Sequence, residues 1–227
     1  MSVPSVAVVL PAAGAGVRLG AGVPKAFVEL AGVPLWRQSL DAMLNVPAVR
    51  RVVLVGDFPV PPVDERVIVA AGGATRAHSV ANGIERCGEC DLIAVHDAAR
   101  PLVSRADVEA VLAAAAGAGA AILAAPIAST VKRVAGGVIT GTVPRDDLWA
   151  AQTPQVARAD LMRRAYAQRR DVAATDEAAL LERIGVPVSV VAGSARNFKI
   201  TTPADLALAE AVLRADAADA EEGRTDA

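Results

Sequence analysis

Short, continuous apolar runs set between stretches of helical spacing constrain this chain more than any other feature. Val6 to Leu10, Arg51 to Val55, Val67 to Ala70, Leu92 to His96, Ala120 to Ala125 and Val188 to Ala192 carry apolar residues in succession rather than in alternation. A strand that is apolar on both sides must be covered on both faces, as in a parallel sheet with helices above and below it. The intervening segments carry helix signals. Ser104, with Asp107 three residues on, caps a stretch bearing Val108, Val111 and Leu112. Thr202-Pro203 places a cap before a first-turn proline, and Leu206, Ala209 and Leu213 follow at helical spacing. Residues 158–168 and 176–184 read as two further helices. Strand–helix–strand alternation predicts a mainly parallel, doubly wound α/β sheet with right-handed crossovers.

One segment departs from this pattern. Thr130 to Thr142 holds two short β-type runs around Ala135-Gly136-Gly137, which predicts a hairpin. A hairpin inserted into an α/β sheet projects as an arm, and the arm is expected to be a homodimer contact. Residues 1–214 are expected to form one domain, with the arm at about residues 128–147. The Ala/Asp/Glu-rich residues 215–227 are expected to be a disordered acidic tail.

Composition excludes several classes. Hydrophobic residues make up 53% of the 227, too many for a disordered chain, and only 3% are aromatic, so the core must be aliphatic. A net charge of −2 gives no bulk electrostatic affinity for nucleic acid. No stretch approaches the ~18 apolar residues of a membrane span. The first residues have no basic start of a signal peptide, so the expected location is cytoplasmic. Cys87 and Cys90 form a single C-x-x-C without zinc-finger histidines. It follows a helical stretch rather than opening one, so both are expected to be reduced structural thiols.

Three segments carry chemistry. Leu10-Pro-Ala-Ala-Gly-Ala-Gly-Val-Arg-Leu-Gly ends the first strand and is followed by Pro24-Lys25. Gly14 and Gly16 let backbone N–H groups approach a phosphate, and Arg18 and Lys25 supply positive charge. It is not a Walker A loop, because Val17-Arg18 follows Gly16. Nor is it a dinucleotide fingerprint, because Leu19 stands where a third glycine is needed. Val95-His96-Asp97-Ala98-Ala99-Arg100-Pro101 ends the fourth run at the same sheet edge. Asp97 there suits Mg²⁺ shared with phosphates, and Arg100 suits a second anion. His96 reads as a hydrogen-bonded strand-end residue. Gly72-Gly73-Ala74-Thr75-Arg76-Ala77-His78-Ser79 is a glycine turn into a helix, with Thr75 as the cap and backbone groups able to meet a base edge.

Together these motifs resemble the 2-C-methyl-D-erythritol 4-phosphate cytidylyltransferase family of the non-mevalonate isoprenoid pathway. The likeness continues through Thr130-Val-Lys-Arg, Gln152-Thr153-Pro154-Gln155, Thr175-Asp176-Glu177-Ala178 and Asn197-Phe198-Lys199-Ile200-Thr201, covering roughly residues 6 to 213. The resemblance implies a Rossmann-like three-layer α/β/α nucleotidyltransferase fold and a homodimer built around the arm. It also implies transfer of CMP from CTP to methylerythritol phosphate, with Mg²⁺. Carried over to matching positions, Ala12, Ala13 and Gly14 lie along the nucleotide, with Ala98 beside it. Arg18, Lys25 and Lys199 act on the triphosphate. Gly73, Ala74 and Ser79 recognise cytosine. Asp97 binds Mg²⁺ and substrate, and Arg100, Thr153, Thr175 and Lys199 line the substrate side. Thr130 and Arg145 reach it from the neighbouring subunit. Ala74 stands where some relatives have Asp, so a base contact there must use backbone. Pro144 precedes Arg145 where an acidic residue is common. The alternatives are the same chemistry on ribitol 5-phosphate and a nucleotide-binding regulator without turnover.

Overall fold

A computed structural model describes residues 3–13, 25–57, 63–169 and 175–225. Strands β1 (Val6–Pro11), β4 (Val49–Val55), β5 (Val67–Ala70), β6 (Leu92–Val95), β7 (Ala120–Pro126), β10 (Trp149–Arg158) and β11 (Ser189–Ala192) form one seven-stranded sheet. Its order is β11-β7-β10-β6-β1-β4-β5, and only β10 runs antiparallel to its neighbours. Two short strands, β2 (Glu29–Leu30) and β3 (Val33–Pro34), pair separately, as do β8 (Val131–Ala135) and β9 (Val138–Val143).

The alternation of side chains along β1 sorts the core into two layers. Val6, Val8 and Leu10 face α1 (Leu35–Leu44) and α3 (Arg105–Ala118), packing with Leu40, Met43, Val108, Val111 and Leu112. Ala7 and Val9 face α2 (Arg76–Glu85), α4 (Ala159–Ala167) and α5 (Glu177–Arg183), packing with Val80, Ile84, Met162, Leu180 and Leu181. The continuous apolar runs therefore serve two helical layers at once, which is the three-layer arrangement. Helix α2 lies so close to the sheet that a Cβ at Gly83 would sit 2.5 Å from Val9 Cγ1 and 2.9 Å from Val55 Cγ2. Caps fall where the sequence places them: Ser104 Oγ accepts from Asp107 N, and Thr75 Oγ1 accepts from His78 N. Helix α6 (Pro203–Thr225) stays helical past Leu213, where the acidic tail is expected to leave the fold. Cys87 is a buried free thiol, which burial pushes up to about 12, and Cys90 is a half-buried one.

The hairpin forms at residues 131–143. Ala135 pairs with Val138 across a two-residue turn in which Gly136 and Gly137 have φ of 56° and 80°. Positive φ at both central residues is the type I′ geometry that matches strand twist, and glycine takes it without strain. Val134, Val138 and Ile139 on this arm are 56%, 67% and 61% exposed. Strand β10 is the element the apolar pattern did not reveal. It holds Gln152, Thr153 and Gln155, and its pairing shifts register between Ala151 and Gln155 around a cis Thr153–Pro154 bond.

Candidate active site

The chain reaches the sheet edge at β5, then crosses back over β1 to place β6 on the other side. In an open α/β sheet that reversal opens a crevice at the carboxyl ends of the strands. The segments that the sequence singles out end there.

On one side lie the ends of β1 and the turn after β5. Ala12 is buried and donates its N–H to Val55 O at 2.8 Å, while Ala13 is exposed. The turn comes close to it: a Cβ at Gly72 would sit 3.1 Å from Ala13 Cβ and 2.9 Å from Asp57 Oδ2. A Cβ at Gly73 would meet His78 Cβ at 2.5 Å. Gly73 N donates to Ser79 Oγ at 2.9 Å, and that hydroxyl donates to Thr75 O at 3.1 Å. Ser79 is buried and shapes the turn, while Gly73 and Ala74 are exposed at its tip. Lys25 opens a single 3₁₀ turn, Lys25–Phe27, and is half-buried. Gly14 and Arg18 lie outside the described residues.

On the other side Asp97 is the centre of a charged cluster. Its Oδ2 accepts from Lys199 Nζ at 2.7 Å, its Oδ1 accepts from Arg76 Nε at 3.1 Å, and Arg100 Nε lies 4.0 Å from Oδ2. Burial alone would favour the neutral acid. The charges of Arg76 and Lys199 outweigh it and hold the carboxyl well below the usual carboxylate range. Lys199 is carried to Asp97 by its neighbour: Ile200 is fully buried, and its N–H donates to Ala99 O at 2.9 Å. Arg100 donates to Asn197 O at 2.7 Å and to Ala151 O at 3.3 Å. Thr153 Oγ1 accepts from Asp97 N at 3.0 Å. Asp97, Arg100, Thr153 and Lys199 are thus brought together from three stretches of chain, with Ala98 buried next to them.

The buried His96 explains how Asp97 is aimed. Its Nε2 lies 3.1 Å from Arg100 O and its Nδ1 3.1 Å from Thr153 Oγ1. A carbonyl can only accept, so Nε2 carries the proton and Nδ1 accepts from the Thr153 hydroxyl. Burial lowers the His96 pKa from 6.5 to about 4, so the ring is neutral and both nitrogens are occupied. It is the strand-end residue expected, not a base. The unfolded chain takes up this proton near 6.5 and the folded chain only near 4, so protonation favours unfolding as pH falls between those values. Wild-type stability is expected to drop through that window by up to about 3–4 kcal/mol, at about 1.4 kcal/mol per pKa unit. Denaturant melts should show this drop missing from His96→Gln; an unchanged profile in the variant would refute it.

Thr175 is exposed, immediately before Asp176, the N-cap of α5. Gln155 ties that helix start to β10, donating to Asp176 Oδ2 at 3.1 Å and accepting from Ala178 N at 2.9 Å. Thr130 and Arg145 are exposed at the base of the arm, where Arg145 donates to Ala128 O rather than into the Asp97 cluster. Two residues of the cluster, Arg76 in the turn at residues 72–79 and Glu177 in residues 175–178, carry no role that the sequence alone assigns. Arg76 binds Glu177 through both terminal nitrogens, at 2.8 and 3.0 Å, and Glu177 is fully buried.

Arg76, Arg100 and Lys199 against Asp97 and Glu177 leave one positive charge beside a glycine turn. Such a site suits a polyanion. Among the described residues no group of three His, Cys, Asp or Glu side chains could enclose a metal ion. Asp97 is ionised, and each of its oxygens accepts one hydrogen bond and keeps a further lone pair, so it fits a Mg²⁺ that takes one or two carboxylates and completes its shell with phosphate oxygens and water.

The model of the family "IspD: 2-C-methyl-D-erythritol 4-phosphate cytidylyltransferase" matches residues 6–215. The 2-C-methyl-D-erythritol 4-phosphate cytidylyltransferase of Deinococcus radiodurans is 47% identical over 217 residues, covering 93% of this chain and 90% of that protein. The same-named protein of Nocardia farcinica is 45% identical over 218 residues, covering 92% and 94%. The crystal structure of the Thermus thermophilus enzyme superposes with a TM-score of 0.81 at 39% identity, covering 92% of this chain and 99% of that one.

Proposed function

The chain belongs to the 2-C-methyl-D-erythritol 4-phosphate cytidylyltransferase family, and we propose that its site transfers CMP from CTP to 2-C-methyl-D-erythritol 4-phosphate. The products are 4-diphosphocytidyl-2-C-methyl-D-erythritol, a precursor for isoprenoids, and pyrophosphate. The observation that carries this reading is the single carboxylate of Asp97 held between Lys199 and Arg76 at the sheet edge that also bears the Gly73–Ala74 turn.

A phosphate oxygen of the alcohol phosphate attacks the α-phosphorus, forming one P–O bond as the bond to the pyrophosphate oxygen breaks. That oxygen is already ionised at neutral pH, so no side chain need remove a proton. The obstacle is repulsion between two anions. Lys199, with Lys25 and Arg18 from the first loop, neutralises the triphosphate and meets charge developing at phosphorus. Ala12, Ala13, Gly14 and Ala98 border the nucleotide. Gly73 and Ala74 offer backbone groups to cytosine over a turn that Ser79 braces. Arg100, Thr153 and Thr175 line the alcohol-phosphate side, and alignment in this crevice supplies much of the rate. Asp97 and the substrate phosphates would hold Mg²⁺, which when bound supplies further charge neutralisation to the phosphates.

The exposed apolar arm is the homodimer contact in this reading, delivering Thr130 and Arg145 to the site of a second copy. The enzyme works in the cytoplasm, and no described helix is long and apolar enough to cross a membrane. A pyrophosphate-release assay crossing CTP, ATP, GTP and UTP with methylerythritol phosphate and ribitol 5-phosphate tests the substrate pair. Turnover is expected with CTP and methylerythritol phosphate. Turnover confined to ribitol 5-phosphate would move the chain to that substrate. Tight CTP binding with no turnover on either would make it a nucleotide-binding regulator.

A further inference from the structure

The Arg76–Glu177 pair is unusual in where it stands. Glu177, in the first turn of α5, is fully buried and gives both carboxylate oxygens to the Arg76 fork, at 2.8 and 3.0 Å. Tyr166 of α4 donates its hydroxyl to Glu177 Oε1 at 2.8 Å, so that carboxylate is fixed from two sides. The Nε N–H of Arg76 is directed instead to Asp97, on Oδ1 at 3.1 Å. Asp97 Oδ2 is left to Lys199 at 2.7 Å.

A guanidinium binds a carboxylate best through two parallel N–H groups. Two carboxylates, Asp97 and Glu177, compete here for the single guanidinium of Arg76. We propose that Glu177 is a positioning residue that occupies the Arg76 fork, so that Arg76 orients Asp97 through one N–H without capturing it, and Asp97 keeps an oxygen for Lys199. Without the Glu177 charge the fork turns to Asp97 and takes both oxygens. Lys199 then loses its partner, and its ammonium is no longer held at the crevice. The structural claim stands on its own geometry; its effect on turnover rests on the cytidylyltransferase reading above.

The test uses the fact that Lys25, Lys132 and Lys199 are the chain's three lysines. Lys132 lies on the arm, where its Nζ donates to Thr142 Oγ1, and serves as the internal reference. Trace acetylation of the full-length protein without nucleotide, read by mass spectrometry, gives the ratio of Lys199 to Lys132 labelling. Glu177→Gln is expected to raise that ratio at least threefold and to lower kcat about tenfold. The double variant Arg76→Gln/Glu177→Gln removes both charges of the pair, leaves Asp97 to Lys199, and is expected to return the ratio to the wild-type value. If Glu177→Gln does not fold, Glu177→Asp draws the carboxylate back from the Arg76 fork by one methylene and should raise the ratio by a smaller factor; a wild-type ratio in that variant then overturns the proposal. A wild-type ratio in folded Glu177→Gln, or a double variant as reactive as the single one, overturns the proposal. A raised ratio with unchanged turnover would uphold the positioning of Lys199 and count against the reaction assigned to it.

Discussion

Lys199→Ala is expected to lower kcat for pyrophosphate release by roughly 10²–10³-fold, the loss seen when one donor to a developing oxyanion is removed. Asp97 keeps Arg76 at 3.1 Å and has Arg100 nearby at 4.0 Å, so the variant leaves no bare buried carboxylate. The Lys199 side chain is 37% exposed while Asp97 is only 11% exposed, but Asp97 keeps its second cationic partner, so the loss of stability is expected to be small beside the loss of turnover. Large loss of turnover with a nearly intact melt is the signature to look for. Ordinary kcat in the variant would remove Lys199 from the chemistry.

The second large effect concerns the arm. Arg145 is exposed at its base and makes its hydrogen bond to Ala128 O. If the arm serves a second copy, Arg145→Ala and Lys199→Ala each disable every site in their own homodimers. A mixed dimer assigns both defects to one site and neither to the other. With random pairing in a two-fold dimer, roughly a quarter of wild-type activity should return when the two inactive proteins are mixed and allowed to exchange. Recovery should track the fraction of mixed dimer measured by native mass spectrometry. Verified mixed dimers with no activity would place Arg145 outside the partner's site.

Much of this architecture is legible in the residues because two-sided burial leaves an unmistakable mark. A strand such as Val6–Pro11 must be apolar at successive positions to serve α1 and α3 on one face and α2, α4 and α5 on the other. Strand β10 defeats the same reasoning. Its Gln152, Thr153 and Gln155 are buried because each has partners: Gln152 donates to Ser194 O, Thr153 Oγ1 accepts from Asp97 N, and Gln155 spans Asp176 and Ala178. Those bonds come from segments distant in sequence, so no local pattern announces them. Arg76 and Glu177 escape for a similar reason. A charged residue in a first helical turn reads locally as solvated, and only the 101-residue separation closed by their ion pair shows otherwise. The Gly136-Gly137 turn, by contrast, needs nothing beyond its own backbone, and the hairpin falls where its glycines place it.

Strand β10 also has a consequence for how the protein is made. Among the described residues it alone lies between β6 and β7, and β11 pairs there with β7 alone. As the polypeptide emerges from the ribosome, β6 therefore waits with a bare margin until residue 158 is available, and β7 is synthesised before either of its neighbours. Unpaired margins of this kind invite mispairing between nascent chains. Of the polar side chains of β10, Thr153 alone among those named above has its partner already made when the strand arrives, since its Oγ1 accepts from Asp97 N just beyond β6.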